Sequence, residues 1–168
     1  KRLLESDIAW KIKEIGHELG AEEVSFDPIV GFGKNSAIVH HNPGKTVLKK
    51  GDIILVDMGM KYLGYCSDMT RMIFTAQPTE KQAKIYNLVL NAQNSAIEKV
   101  KAGITGKKAD SFSREIIEKA GYGEAYGHSG GHGIGLDIHE IPSLAESYTE
   151  KLKKNSIITI EPGIYLPG

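Results

Sequence analysis

Two carboxylates, Asp57 and Asp68, stand eleven positions apart, each beside an extended apolar segment. Asp57 directly follows Ile53-Ile54-Leu55-Val56, where a lone carboxylate would be costly to bury. Asp68 precedes the second run, Met69 to Phe74, and antiparallel pairing of the two runs can bring the carboxylates side by side. Adjacent carboxylates raise each other's pKa unless a cation lies between them. Hard divalent ions accept such oxygen ligands, and one carboxylate can bridge two of them. Taken alone, the pair reads equally well as a turn-capping Asp57 and a surface Asp68.

The histidines shift that balance. His40, His128, His132 and His139 occupy glycine-rich or strand-end positions, and none follows the apolar period of a helix. A single histidine is more often a satisfied core or surface residue than a ligand. Three within the run His128-Ser129-Gly130-Gly131-His132-Gly133-Ile134-Gly135-Leu136-Asp137-Ile138-His139-Glu140 are a denser signal. Glycines flanking His132 let backbone approach closely and leave room for a metal, water and substrate. Glu161 ends the apolar run Ile157-Ile158-Thr159-Ile160, and Pro162-Gly163 fixes the chain direction after it. That setting suits a positioned ligand and equally a plain turn.

Competing motifs fail on spacing or context. His139-Glu140 begins a zinc-protease pattern, but Ser143 stands where its second histidine belongs. Gly131, Gly133 and Gly135 lack dinucleotide-fingerprint spacing. Gly127-His128-Ser129-Gly130-Gly131 formally matches a nucleophile elbow, without the strand-turn-helix setting that the elbow requires. Cys66 carries no signal as a nucleophile.

The elements that must position these residues follow from periodicity. Leu4, Ile8, Ile12, Ile15 and Leu19 define one face of a helix stopped by Gly20. Val24 to His40 reads as short extended pieces punctuated by Pro28, Gly31 and Gly33. Ile53–Val56 and Met69–Phe74 predict a hairpin. Thr79 to Gln82 fits a capping box ahead of a helix with Ile85, Leu88, Ala92, Ala96 and Val100 on one face. Ala109, Phe112, Ile116 and Ala120 mark another, ended by Gly121. Residues 123–135 hold six glycines, too many for a helix or plain strand, and Ile157–Ile160 predicts a final buried strand. Helix, strands, helices, strands is an α+β order.

Composition bounds the function. At 168 residues there is room for one domain with a real core. The 21 basic and 21 acidic side chains cancel, giving no case for nucleic acid or an anionic membrane. Ile53–Val56 is strand-sized, far short of a membrane span. A single cysteine points to a reducing compartment, and the cytoplasm is the expected location.

Taken together, the motifs resemble those of the pita-bread metallopeptidases: methionine aminopeptidases, aminopeptidase P and proline dipeptidases. The matching pieces, in the family's order, are Phe26-Asp27-Pro28-Ile29-Val30, Gly33-Lys34-Asn35-Ser36-Ala37 with His40, and Val56-Asp57-Met58-Gly59. Gly64-Tyr65-Cys66-Ser67-Asp68-Met69-Thr70-Arg71, the His128–Glu140 run and Ile160-Glu161-Pro162-Gly163 complete them. Ser67 to Arg71 and His128 resemble the proline-specific branch more than methionine aminopeptidases.

The resemblance implies a pita-bread fold, an antiparallel sheet backed by helices. It implies two divalent ions, manganese first, with cobalt, zinc or iron as alternatives. Asp57 would hold one ion, Asp68 would bridge both, and His132 and Glu161 would hold the other. Hydroxide activated by the metal pair would be the nucleophile, with Glu161 as general base. His40 and His139 would bind substrate and stabilise the tetrahedral intermediate, and His128 would lie near the proline side. The expected activity is Xaa-Pro dipeptide hydrolysis. The alternatives are aminopeptidase P action on longer Xaa-Pro peptides, a non-catalytic peptide- or protein-binding module, and hydrolysis of another substrate on the same fold. The family's fifth ligand, a glutamate on the next strand, lies beyond Gly168, and the start lacks the family's preceding helix. Residues 1–168 are therefore expected to be part of one catalytic domain, cut at both ends, with a homodimer as the assembly kept in view for the parent.

Overall fold

A computed structural model describes residues 2–167; Lys1 and Gly168, where the sequence reading places the two cuts, lie outside the described residues. The chain divides into two compact units, Lys1–Pro78 with Leu136–Ile138 and Tyr165–Gly168, and Thr79–Gly135 with His139–Ile164.

In the first unit, helix α1 spans Glu5–Glu18, and the Asp7 carboxylate accepts the Leu4 N–H at its start. Gly20, at φ +94°, ends it as expected. The buried stripe is shorter than the periodicity predicts: Ile15 is 43% exposed and Leu19, beyond the helix, 80%. Ile8, Ala9 and Ile12 pack against Val30, Phe32, Ile54 and Val56. Strand β1 (Glu23–Val24) supplies none of these four core residues; β2 (Ile29–Phe32) and β3 (Ile53–Met58) supply all of them. A 3₁₀ turn, Gly33–Ala37, follows β2.

The predicted hairpin forms and extends further than Ile53–Val56 and Met69–Phe74 suggest. Strand β3 continues after Gly59 as β4 (Met60–Tyr62), and β5 (Tyr65–Cys66) continues as β6 (Met69–Phe74). One antiparallel register runs through both parts, from Ile53↔Phe74 past Asp57↔Thr70 and Met58↔Met69 to Lys61↔Cys66 and Tyr62↔Tyr65. Leu63 and Gly64 turn the tip with positive φ. The ribbon belongs to two sheets, β2-β3-β6 at its root and β1-β4-β5 at its tip, and changes over at Gly59 and Asp68.

In the second unit, Thr79 caps helix α2 (Glu80–Lys99): its N–H donates to Gln82 Oε1 and its hydroxyl accepts the Gln82 N–H, the reciprocal box the sequence predicts. Ala92 and Ala96 are buried on the expected face. Helix α3 (Gly106–Lys119) matches expectation in part: Ala109 is buried, Ile116 packs against the core and Gly121 follows with φ +85°. Its buried stripe is Gly106, Ala109, Asp110, Ser113 and Ile117, while Phe112 lies half-buried beneath the ammonium groups of Lys108 and Lys99. The glycine-rich segment holds a 3₁₀ turn, Gly123–Ala125, and strand β7 (Gly131–Gly133), which pairs antiparallel with β8 (Glu140–Leu144).

Ile157–Ile160 is not a regular buried strand. It hydrogen-bonds along β7, with Ile134 N–H donating to Ile157 O, Thr159 N–H to His132 O and Glu161 N–H to Gly130 O. Only Gly133↔Ile158 closes as a bridge, because β7 is three residues long and irregular between His132 and Gly133. Ile157 is 69% exposed.

Candidate functional site

In the first unit, the ribbon decides where Asp57 and Asp68 stand. Thr70 is the cross-strand partner of Asp57 and shares its face. Asp68 lies two residues before Thr70, so side-chain alternation returns it to that same face. The carboxylates are thus diagonal neighbours at the point where the ribbon changes sheets. Gly59 makes the change possible: a Cβ there would sit 2.0 Å from Ser67 O and 2.9 Å from the Phe26 ring. Ser67 secures the crossing, its N–H donating to Met60 O and its hydroxyl accepting the Met60 N–H. His40 lies exposed in the turn closed by the His41 N–H to Ile38 O bond.

In the second unit, Glu161 and His132 meet directly. Their nearest atoms, Glu161 Oε1 and His132 Nε2, are 3.1 Å apart. Thr159 organises both, donating its hydroxyl to Glu161 Oε1 at 2.6 Å and accepting the His132 N–H at 2.9 Å. Gly131 allows this approach, since a Cβ there would sit 2.1 Å from Thr159 O.

The His132 ring has a defined orientation. Its Nδ1 lies 2.9 Å from Gly133 O, and a carbonyl can only accept, so Nδ1 carries the hydrogen. In the neutral ring, Nε2 then presents a lone pair to a carboxylate oxygen. Two acceptors at 3.1 Å need a proton or a cation between them. A histidine whose second ring nitrogen donates to a backbone carbonyl is the arrangement of metal-ligating histidines, so this donor pair fits a divalent ion. His128 repeats it, with Nδ1 2.7 Å from Ser129 O. His139 stands edge-on to His132, ring centroids 4.5 Å apart, and is exposed.

Burial pushes the Glu161 carboxyl up. Hydrogen bonds from the Thr159 hydroxyl and, when the proton rather than a metal ion fills the gap, from His132 Nε2 outweigh it and hold the pKa below the ordinary value.

Of the sequence-predicted residues, the structure thus groups Asp57 with Asp68 in one unit, and His132 with Glu161 and His139 in the other; His128 joins the second unit's loop and His40 the first unit's turn. Sequence reasoning missed Thr159, a lone hydroxyl inside an apolar run. It also missed Glu5, Asp110 and Arg114. Glu5 and Asp110 are fully buried, and the Arg114 side chain is 12% exposed. An acid in a first helical turn and an i, i+4 acid–base pair are usually solvated features, so neither pattern announces burial.

Comparison with known proteins places these features. The sequence model of metallopeptidase family M24 matches residues 1–168. The chain is similar to the Xaa-Pro dipeptidase of Pyrococcus furiosus, 44% identical over 163 residues, covering 97% of this chain and 47% of that protein. It is 45% identical to a putative Xaa-Pro aminopeptidase of Mycoplasma genitalium, covering 95% of this chain and 45% of that one. Among solved structures, a Xaa-Pro dipeptidase from Bacillus anthracis superposes with a TM-score of 0.97 at 43% identity, over 99% of this chain and 47% of that one. An X-Pro aminopeptidase from Thermotoga maritima does so with a TM-score of 0.96 at 42% identity, again over 99% and 47%. The chain spans about half the length of the curated relatives it matches.

Proposed function

Since this chain belongs to metallopeptidase family M24, we propose that its parent protein is a metal-dependent exopeptidase that hydrolyses the bond between an N-terminal residue and proline. The fold is the α+β pita-bread fold that the sequence leads one to expect. Xaa-Pro dipeptides are the first-choice substrate, following the relatives named for that activity. Longer Xaa-Pro peptides are the second reading, favoured by the relatives named aminopeptidases.

The observation that carries the proposal is the contact between His132 and Glu161, which needs a proton or a cation between them, in a chain whose whole length matches a metallopeptidase family. Asp57, Asp68, His132 and Glu161 would hold two divalent ions, with Asp68 shared. Manganese suits so carboxylate-rich a set best; cobalt, zinc and iron remain alternatives. Bound there, such ions supply Lewis acidity and acidify a water molecule. Glu161, a carboxylate ionised at neutral pH, can take a proton from water and pass it toward the departing proline nitrogen. His40 and His139 would orient the substrate and stabilise the oxyanion, and His128 would face the proline side. Among the described residues no helix is long and apolar enough to cross a membrane, and we place the protein in the cytoplasm, where Cys66 would stay reduced.

The test is manganese-dependent cleavage of Xaa-Pro dipeptides and of longer Xaa-Pro peptides by the full-length protein. Release of the N-terminal residue is expected. If the protein binds manganese yet cleaves neither class, the peptidase reading is wrong.

A further inference from the structure

Helix α3 carries a buried ion pair that the proposed chemistry does not use. The Arg114 guanidinium grips Asp110 with two bonds, Nε to Oδ2 at 2.5 Å and Nη2 to Oδ1 at 2.9 Å. The Asp110 side chain is 1% exposed and that of Arg114 12%. Removing water from both charges is costly unless every remaining donor and acceptor is matched. Here the matches all lie in one short loop. Arg114 Nη1 donates to Tyr126 O at 3.2 Å and Nη2 to His128 O at 2.7 Å, while Asp110 Oδ1 accepts the Gly130 N–H at 2.9 Å.

Alternate backbone groups at 126, 128 and 130 are thus fixed by one pair, with His128 at the centre. The ring is placed as well. The Arg114 guanidinium lies 4.2 Å above the Tyr126 ring, which meets the His128 ring edge-on at 5.2 Å. A Cβ at 130 would come within 2.8 Å of Asp110 Oδ1, so the loop and the carboxylate meet without room for a side chain.

We propose that Asp110 and Arg114 are positioning residues for His128, setting where its imidazole meets the proline end of the substrate. This rests on the reading of His128 given above. The pair fixes the backbone at His128 and on both sides of it, and the tyrosine held beneath Arg114 meets the His128 ring edge-on, so the bonds set an orientation and not only an attachment.

The experiment uses the full-length protein and two variants. Arg114→Lys keeps the charge beside Asp110 but cannot reach four acceptors with a planar fork. Gly130→Ala pushes the Asp110 carboxylate off the loop from the other side and carries the same readouts should the first variant fold poorly. In folded variants with an unchanged thermal midpoint, KM for an Xaa-Pro peptide should rise about tenfold while kcat stays within about threefold. The His128 ring signals in imidazole ¹H–¹⁵N spectra should shift, with those of His17 and His41 unmoved. Unchanged His128 signals and KM in a folded variant would overturn the assignment. So would losses that merely track the thermal midpoint. A parent protein that cleaves no Xaa-Pro peptide would count against the reading of the site, and the His128 signals judge the positioning in either case.

Discussion

Across the short gap between His132 Nε2 and Glu161 Oε1, the protein holds two electron-rich atoms in a geometry that a shared proton or a cation satisfies. Thr159 tightens that geometry at no cost in charge, since its hydroxyl both donates to Glu161 and accepts from the His132 backbone. Asp57, Asp68, His132 and Glu161 stood out in the sequence because Asp57 and Glu161 each end an apolar run, Asp68 precedes one and His132 interrupts a glycine run. Thr159 was not: a hydroxyl between isoleucines has the same appearance whether it packs or organises a ligand. If Asp68 is the shared ligand, Asp68→Ala should abolish binding of both ions and Asp57→Ala should spare one. Calorimetric manganese titration checks this, and equal losses would contradict the shared role.

At the scale of elements, the ribbon from β3 to β6 is the part of the fold that sequence pattern predicted best, since both arms are continuous extended runs. Its crossover was hidden, because Gly59 looks like any turn glycine. Substituting it should be costly: the backbone oxygen of Ser67 cannot rotate away as a flexible side chain could. Gly59→Ala is expected to destabilise the chain by about 3 kcal/mol, measured by urea unfolding of the metal-free protein. An effect below about 1 kcal/mol would show that the crossing can relax. Helix α3 shows the opposite failure of pattern. Its buried face holds Ala109 and Ile117 but also Asp110 and Ser113, and an apolar stripe cannot reveal buried positions satisfied by hydrogen bonds. Ile157–Ile160 was predicted as a strand from composition, and against the three-residue β7 it closes only one bridge.

For the molecule as a whole, the acid limb of stability should carry the mark of Glu5. Its buried carboxylate accepts from Phe32 N–H, Asn35 Nδ2, Gly44 N–H and His41 Nε2, tying α1 to the segment that bears His40. Burial pushes its pKa up, but these bonds, that of His41 foremost, bring it down to about 2. A lowered carboxyl stabilises the fold above its unfolded value of 4.5, and that contribution, roughly 3 kcal/mol, is lost as pH falls toward 2. The stability advantage over Glu5→Gln should therefore shrink between pH 4.5 and 2; a pH-independent difference would refute the assignment. The α+β class was legible from the order of periodic segments, whereas the division into two compact units was not, because contacts between distant segments leave no local mark. The constant register of the ribbon also bears on how such a chain can vary in length. The face that Asp68 shares with Asp57 is fixed by the Asp57↔Thr70 pair and the two-residue step from Asp68 to Thr70, so residues added at the tip, between Met60 and Cys66, leave both carboxylates in place whatever their number. One residue added between Asp68 and Thr70 would turn Asp68 over unless a bulge absorbs it. The tip is thus free to vary in length, while the short step beside it is not.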